Sequence, residues 1–208
     1  MPSHIEIALQ KLEKTEKQLL DMGVAIGKGY GGAFYGLDFL AYAVLKRSLA
    51  LIAGFSTLLR AKNFVCAAAL IRLHLDSLLR FAAGTLVDNP HKFATEVMKG
   101  QHVRKLKDKK GHLMTDQYLV SCLSLHNPWI QRVYNATSGY VHLSSKHIFN
   151  ALKPGDGMGS GSLAISKEDE FISDRERVKA CAAMQAITDL ILHYLESWRD
   201  AKSNPPAK

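Results

Sequence analysis

Hydrophobic and polar positions alternate with helical spacing from the start of the chain. Apolar side chains recur at steps of three and four from Ile5 to Met22, with Glu and Lys between them. This spacing places the apolar side chains on one face and predicts an amphipathic helix of about five turns. The helix is predicted to end at Gly23, because residues 23–36 carry six glycines and are expected to form a loop or hinge.

Longer apolar segments follow and predict further helices. Residues 37–61 and 63–87 form two long, largely apolar runs, with Asn63 as a candidate N-cap of the second. The dipeptides Asn-Pro at 89–90 and 127–128 are typical helix starts, and Ser173 with Glu176 predicts a capping box. Additional helices are therefore predicted over 90–98, over 115–126, from 128 through the segment 134–147, and over 174–200.

Strand-forming patterns are missing from the sequence. No run alternates with period two for long enough to predict a convincing strand, and residues 153–161, rich in glycine, are expected to be an irregular loop. The predicted fold is all-α, an antiparallel helical bundle. Residues 1–200 are predicted to form a single domain, and residues 201–208 a disordered tail.

Composition indicates a globular protein of a reducing compartment. Apolar residues make up 47% of the chain and charged residues 22%, which is an ordinary balance. The three cysteines are widely spaced, so neither a disulfide framework nor a zinc knuckle is expected, and we predict a cytoplasmic location. The apolar run 37–59 is interrupted by Asp38 and by Lys46-Arg47, so it predicts a buried helix and no membrane span.

Positive charge is concentrated in one segment. The formal net charge is +8, and residues 99–110 contain six basic residues and one acidic residue. Such a cluster is suited to a polyanion, because neutralised phosphates release condensed counterions. Lys105 and Lys107 are therefore candidate RNA-binding residues; a solvated basic loop is the alternative interpretation.

Small polar residues are organised along the predicted helix that begins at Pro128. Gln131, Asn135, Ser138 and His142 fall on one face at steps of three and four, with Tyr134 beside them. Uncharged polar groups in a row indicate a partly buried polar stripe. A structural hydrogen-bond network, with His142 as a core histidine, is the alternative.

The helix predicted over 63–87 carries an unusual set of charges. Arg72, Asp76 and Arg80 lie at steps of four within a nearly all-apolar segment. Buried charges are costly unless paired, so each arginine is expected to pair with Asp76, leaving guanidinium donors for a ligand.

We expect these two sets to face one another across a groove. The predicted catalytic residues are His142, Arg72, Asp76 and Asn135, and the predicted substrate-binding residues include Arg80, Ser138 and Tyr134. A histidine of near-neutral pKa can move a proton while arginine stabilises charge on phosphorus oxygens, as metal-independent RNA cleavage requires. No metal site and no cofactor are predicted.

Two motifs, RLHLDSLLR at 72–80 and YNATSGYVHLS at 134–144, resemble bacterial helical proteins of the abortive-infection and HEPN-like type. The resemblance covers residues 37–149 and implies a helical bundle, often dimeric. Such families include metal-independent RNases and toxins of phage defence, and also non-catalytic nucleotide- or partner-binding members. Active HEPN nucleases usually have an arginine four to six residues before the histidine. Here nine residues separate Arg132 from His142, so Asn135 and Arg72 are the expected substitutes.

The resulting hypothesis is a HEPN-like protein that acts on RNA or a nucleotide and forms a homodimer, with metal-independent endoribonuclease activity as the candidate reaction. A non-enzymatic module that uses the same groove to bind a ligand or partner is the competing class. A plain structural dimer is the third.

Overall fold

The computed structural model describes residues 2–155 and 160–203, which are mostly helical, confirming the predicted all-α class. A two-stranded antiparallel sheet and three short 3-10 segments, Gly29–Gly32, Ala83–Thr85 and Val103–Lys105, accompany the helices. The helices are α1 (His4–Glu13), α2 (Thr15–Lys28), α3 (Gly36–Arg60), α4 (Phe64–Ala82), α5 (Pro90–Met98), α6 (Asp116–Ser124), α7 (Trp129–Ser138), α8 (Ser145–Ala151) and α9 (Asp174–Ser203).

Several helix starts are capped as the sequence predicts. The side chains of Asn63 and Asn89 each accept a hydrogen bond from the backbone N–H three residues on, at 3.2 and 2.9 Å. Ser173 and Glu176 form the reciprocal capping box at the start of α9. These side chains supply acceptors to the N–H groups that the first turn of a helix leaves without partners.

The predicted end of the first helix at Gly23 is wrong. A break occurs earlier, between α1 and α2, and α2 then continues through Gly23 to Lys28. The glycines of α2 lie where Tyr42 of α3 approaches the helix closely, and the Tyr42 hydroxyl donates to the Gly23 carbonyl at 2.7 Å. A Cβ on Gly27 would lie 2.6 Å from the same hydroxyl oxygen, so a side chain there would force the two helices apart. The glycines in α2 permit close helix packing. Among the six glycines of residues 23–36, those with a positive φ are Gly31 and Gly32, which follow α2.

The segment 134–147 is not one continuous helix, contrary to the prediction. Helix α7 ends at Ser138, whose hydroxyl donates to the Tyr134 carbonyl at 2.6 Å. Ser144 donates to the Gly139 carbonyl at 2.7 Å and is the N-cap of α8. Side-chain hydroxyls thus take backbone acceptors that a continuing helix would have used. Gly139 allows this turn, since a Cβ there would lie 2.9 Å from atoms of Ser144 and Lys146.

The ends of the loop predicted over 153–161 are also more regular than expected. Strands β1 (Leu152–Pro154) and β2 (Gly161–Leu163) pair in antiparallel register, with Lys153 opposite Ser162. The middle of the predicted loop, 156–159, lies outside the described residues.

The predicted boundary of a disordered tail at residue 201 is wrong for its first three residues. Helix α9 extends to Ser203, and Lys202 is 4% exposed. The Lys202 ammonium lies 3.0 Å from a carboxylate oxygen of Asp38 and donates to the Ile26 carbonyl at 2.9 Å. Trp198 donates from its indole N–H to the other Asp38 oxygen at 2.9 Å. This buried pair fixes the last turn of α9 to the start of α3; residues 204–208 lie outside the described part of the chain.

One cluster of buried side chains connects the helices. Helices α3 and α4 are joined by only three residues and pack side by side, which makes them antiparallel neighbours. Helix α9 packs against α1, α2 and α4, and α7 packs against α4 and α6. Helix α3 meets the length and composition criteria for crossing a membrane, although in this structure eleven of its residues are buried within the bundle. The packing of α4 between α3, α7 and α9 positions the charged residues that α4 carries.

Candidate functional site

A crevice of about 400 Å³ lies where α4, α6, α7 and the turn after α7 meet. It brings together most of the predicted site residues. Its lining consists of Arg72, Leu73, Asp76, Asp116, Tyr134, Ser138, Val141 and His142. The two motifs that were predicted to face one another therefore border the same solvent-filled space.

His142 reaches the crevice in a different way from that predicted. It lies on the turn between α7 and α8 and is exposed, so it is neither part of a helical stripe nor a core histidine. Asn135, on the helix itself, is exposed and accepts a hydrogen bond from Gln131 at 2.9 Å; it does not line the crevice. The end of α7 at Ser138 causes this difference, because it redirects the chain before His142.

The charged residues form a network centred on an aspartate that the sequence analysis missed. Asp116 accepts a hydrogen bond from Arg72 at 2.9 Å and one from Arg80 at 2.5 Å. Arg80 also lies 3.0 Å from Asp76. The predicted pairing with Asp76 is thus present for Arg80, whereas the carboxylate partner of Arg72 in the described structure is Asp116. The position of Asp116, directly after the N-cap Thr115, made it resemble an ordinary first-turn acid.

Electrostatics keep Asp116 ionised. Burial of its carboxyl acts to raise the pKa, but the hydrogen bond and charge of Arg80, followed by those of Arg72, outweigh it and lower the pKa. Two arginines therefore face two carboxylates, Asp76 and Asp116, and the formal charge of these four groups cancels.

Tyr134 orients Arg72 from the opposite wall. The guanidinium carbon lies 4.5 Å from the centre of the Tyr134 ring, a cation–π arrangement. Together with Asp116, the ring holds Arg72 in a defined position, and the Arg72 side chain is 12% exposed. Such preorganised donors can stabilise a developing charge with little reorganisation.

Arg80 has a donor that remains unused. Its Nη2 contacts both carboxylates, while its Nη1 is buried and has no hydrogen-bond partner among the described residues. Arg80 also borders a second crevice, of about 300 Å³, that includes Arg47 and His102. It does not line the crevice that contains His142.

The structure does not bring Lys105 and Lys107 to the crevice. Both are exposed, and Lys107 borders a separate crevice of about 350 Å³ between the basic segment and α5. Asp108 organises this segment by accepting hydrogen bonds from the Tyr118 hydroxyl at 2.6 Å and from the backbone of Lys110 and His112. The Tyr118 hydrogen bond is the main reason that the pKa of Asp108 is lowered to about 2.

The candidate site has the groups for proton transfer and for holding a small polar ligand. An exposed imidazole, a fixed guanidinium and the side chains of Tyr134 and Ser138 border one space. No group of three or more His, Cys, Asp or Glu within 2–155 and 160–203 is arranged to hold a metal ion. Comparison with protein-family models, with curated proteins and with solved structures finds no match to this chain.

Proposed function

We propose that the crevice is the working site of a HEPN-like helical protein that acts on RNA or on a nucleotide. The observation that carries this proposal is that His142 of one motif and Arg72 and Asp76 of the other line the same crevice. The two motifs are about sixty residues apart in sequence, and nothing in their local patterns requires them to meet.

The chemistry we propose is metal-independent cleavage of the RNA backbone. The ribose 2′-oxygen forms a bond to phosphorus, and the bond from phosphorus to the 5′-oxygen breaks. His142 accepts the proton from the 2′-hydroxyl, and the leaving 5′-oxygen takes a proton from solvent or from the protonated imidazole. Arg72 stabilises the charge on the non-bridging oxygens, with Asp116 and Tyr134 as positioning residues.

The charge balance of the site favours a second candidate function. Because Asp76 and Asp116 compensate Arg72 and Arg80, a phosphate must compete with Asp116 for the guanidinium. A site with both donors and acceptors is equally suited to a small ligand that carries both kinds of group. The alternative is therefore a non-enzymatic module that binds such a ligand.

An RNA-cleavage assay in EDTA tests the first candidate. We expect the wild-type protein to cleave a labelled single-stranded RNA, and His142→Ala to lower the rate by roughly 10²- to 10⁴-fold, the usual contribution of a general acid–base group. His126→Ala is the matched control, since His126 is exposed and lies outside the crevice. Circular dichroism establishes that each variant is folded. Intact RNA at high wild-type concentration, or equal rates for His142→Ala and wild type, rejects the nuclease function.

A ligand-dependent rise in melting temperature tests the second candidate. Screening nucleotides and small zwitterionic compounds should identify a ligand that stabilises the wild-type protein, and Arg72→Ala should abolish the effect. If Arg72→Ala and wild type respond equally, the ligand binds elsewhere.

Assembly and location complete the proposal. We propose a cytoplasmic homodimer. Light scattering coupled to size-exclusion chromatography tests the dimer by its molar mass, and fractionation of the native cells tests the location.

A further inference from the structure

A second concave surface lies on the other side of α7. Tyr134 and Ser138 of this helix border the crevice described above, whereas Val133, Ala136 and Thr137 border a groove of about 600 Å³ between α4, α7 and α9. The groove is larger than the crevice and shares no lining residue with it. Its volume is within the range typical of small-molecule sites.

The wall and floor of this groove are apolar. Phe64, Ala68 and Ile71 of α4 form its floor and belong to the hydrophobic core. Trp129 of α7 adds an aromatic ring, and below the rim α9 contributes four alanines, of which Ala183 is half-buried. Small residues on α9 leave the space open, and water in it would contact mostly carbon. Filling such a space with an apolar group is favourable.

The rim of the groove carries unbalanced positive charge. Arg132, Lys146 and Lys179 border it together with a single carboxylate, Glu176. The Glu176 carboxylate is already engaged by Ser173 in the capping box of α9. None of the three cations has a carboxylate within ion-pair distance in the part of the chain that the structure describes. The three cations at the rim of this apolar groove therefore have no anion among the described residues that compensates their charge.

We propose that this groove binds an apolar organic anion, namely an alkyl or aryl body carrying one carboxylate or similar group. The body would fill the space above Phe64 and Ile71, and the anionic group would lie at the rim near Arg132 and Lys179. The shared features of such ligands are a hydrophobic body and one negative charge, which match the two features of the groove. This proposal is independent of RNA cleavage, because it concerns different residues.

Calorimetric titration of the full-length chain with decanoate below its micelle concentration tests the proposal. We expect saturable binding of one decanoate per chain, and at least tenfold weaker binding of 1-decanol, which has the same chain and no charge. Vesicles containing phosphatidylglycerol form a separate arm, which distinguishes a free ligand from a lipid headgroup. Vesicle binding without decanoate binding would overturn the proposal.

Two variants locate the site, each with a matched control. Ala183→Leu fills the groove and should weaken decanoate binding at least tenfold, whereas Ala201→Leu, on an exposed part of α9, should not. Lys179→Ala combined with Arg132→Ala should weaken binding about tenfold and leave 1-decanol unaffected, whereas Arg175→Ala, one turn before Lys179 and outside the groove, should have no effect. The rim variants change exposed side chains, so they remain informative if Ala183→Leu is destabilised.

Three results would contradict the proposal. The first is that decanoate at about 1 mM gives no heat of binding, since a dissociation constant weaker than that corresponds to less than about 4 kcal/mol of binding free energy. The second is that decanoate binds the wild type and both groove variants with equal affinity. The third is that the wild type binds decanoate and 1-decanol with equal affinity.

Discussion

Replacing Lys202 by methionine tests whether the end of α9 is an integral part of the fold. The Lys202 ammonium is almost fully buried and contacts Asp38 at 3.0 Å and the Ile26 carbonyl at 2.9 Å. Lys202→Met keeps the apolar length of the side chain and removes both contacts. It leaves Asp38 as a buried carboxylate without a cation.

The size of the effect follows from what Asp38 retains. Breaking a buried ion pair by removing one partner costs about 3 to 5 kcal/mol. Asp38 keeps hydrogen bonds from the Trp198 indole at 2.9 Å and from the Tyr35 backbone N–H at 2.8 Å, which moderate the loss. We therefore expect the lower end, about 3 kcal/mol of unfolding free energy, or roughly 6 to 12 °C in melting temperature for a chain of this length.

Urea unfolding followed by circular dichroism measures this change. Lys17→Met is the control, because Lys17 is exposed on α2 and forms no ion pair among the described residues. Combining Lys202→Met with Asp38→Asn removes the uncompensated charge and should recover about 1 to 2 kcal/mol. A loss below about 1 kcal/mol for Lys202→Met, with an unchanged denaturant slope, would refute the reasoning.

Three further predictions concern charged and titrating groups. Asp116→Asn should destabilise the protein by about 2 kcal/mol at pH 7, since it deprives Arg72 of its carboxylate. The pKa of Asp116 is lowered in the folded state, so the stability advantage of the wild type should persist above about pH 4 and disappear as the pH falls through the lowered pKa. Urea titrations at several pH values measure this difference. Burial, helped by the charge of Arg47, lowers the pKa of His74 to about 3, so the unfolded chain takes up this proton first and stability should fall from about pH 6.5 toward pH 3. In His74→Gln that slope should be shallower by up to about 1.4 kcal/mol per pH unit, and equal slopes would contradict the assignment. Tyr118→Phe should raise the pKa of Asp108 from about 2 toward its ordinary value, which NMR titration of the carboxyl carbon measures.

The sequence predicted helices well where local chemistry defines them. Asn63, Asn89 and Ser173 are caps in the structure because a capping side chain acts within three or four residues of its own position. The predicted helix end at Gly23 was wrong, because contact with a helix distant in sequence outweighs the local tendency of glycine to end a helix. Gly23 lies within a helix that packs against Tyr42 of α3, and the residues next to Gly23 in the sequence do not indicate this contact.

The candidate site shows the same division. The step-of-four spacing of Arg72, Asp76 and Arg80 correctly indicated charges that require partners. The identity of the partner, Asp116, depends on how α6 packs against α4, which a pattern in one helix does not specify. The prediction placed His142 and Arg72 on the same crevice because it assumed a continuous helix through His142. In the structure His142 reaches the crevice from a turn in which the hydroxyls of Ser138 and Ser144 bind backbone carbonyls.

The contact between α1 and α9 has a consequence for the order in which the molecule forms during synthesis. Leu9 and Leu12 of the first helix are fully buried, and α9, which is translated after all the other described helices, is a principal neighbour of that helix. A ribosome-bound chain that lacks α9 would present these leucines to water or to chaperones, because their partner has not yet been translated. Completion of the core must therefore wait until α9 has been translated, and chains stalled before α9 should be recognised by proteases as unfinished.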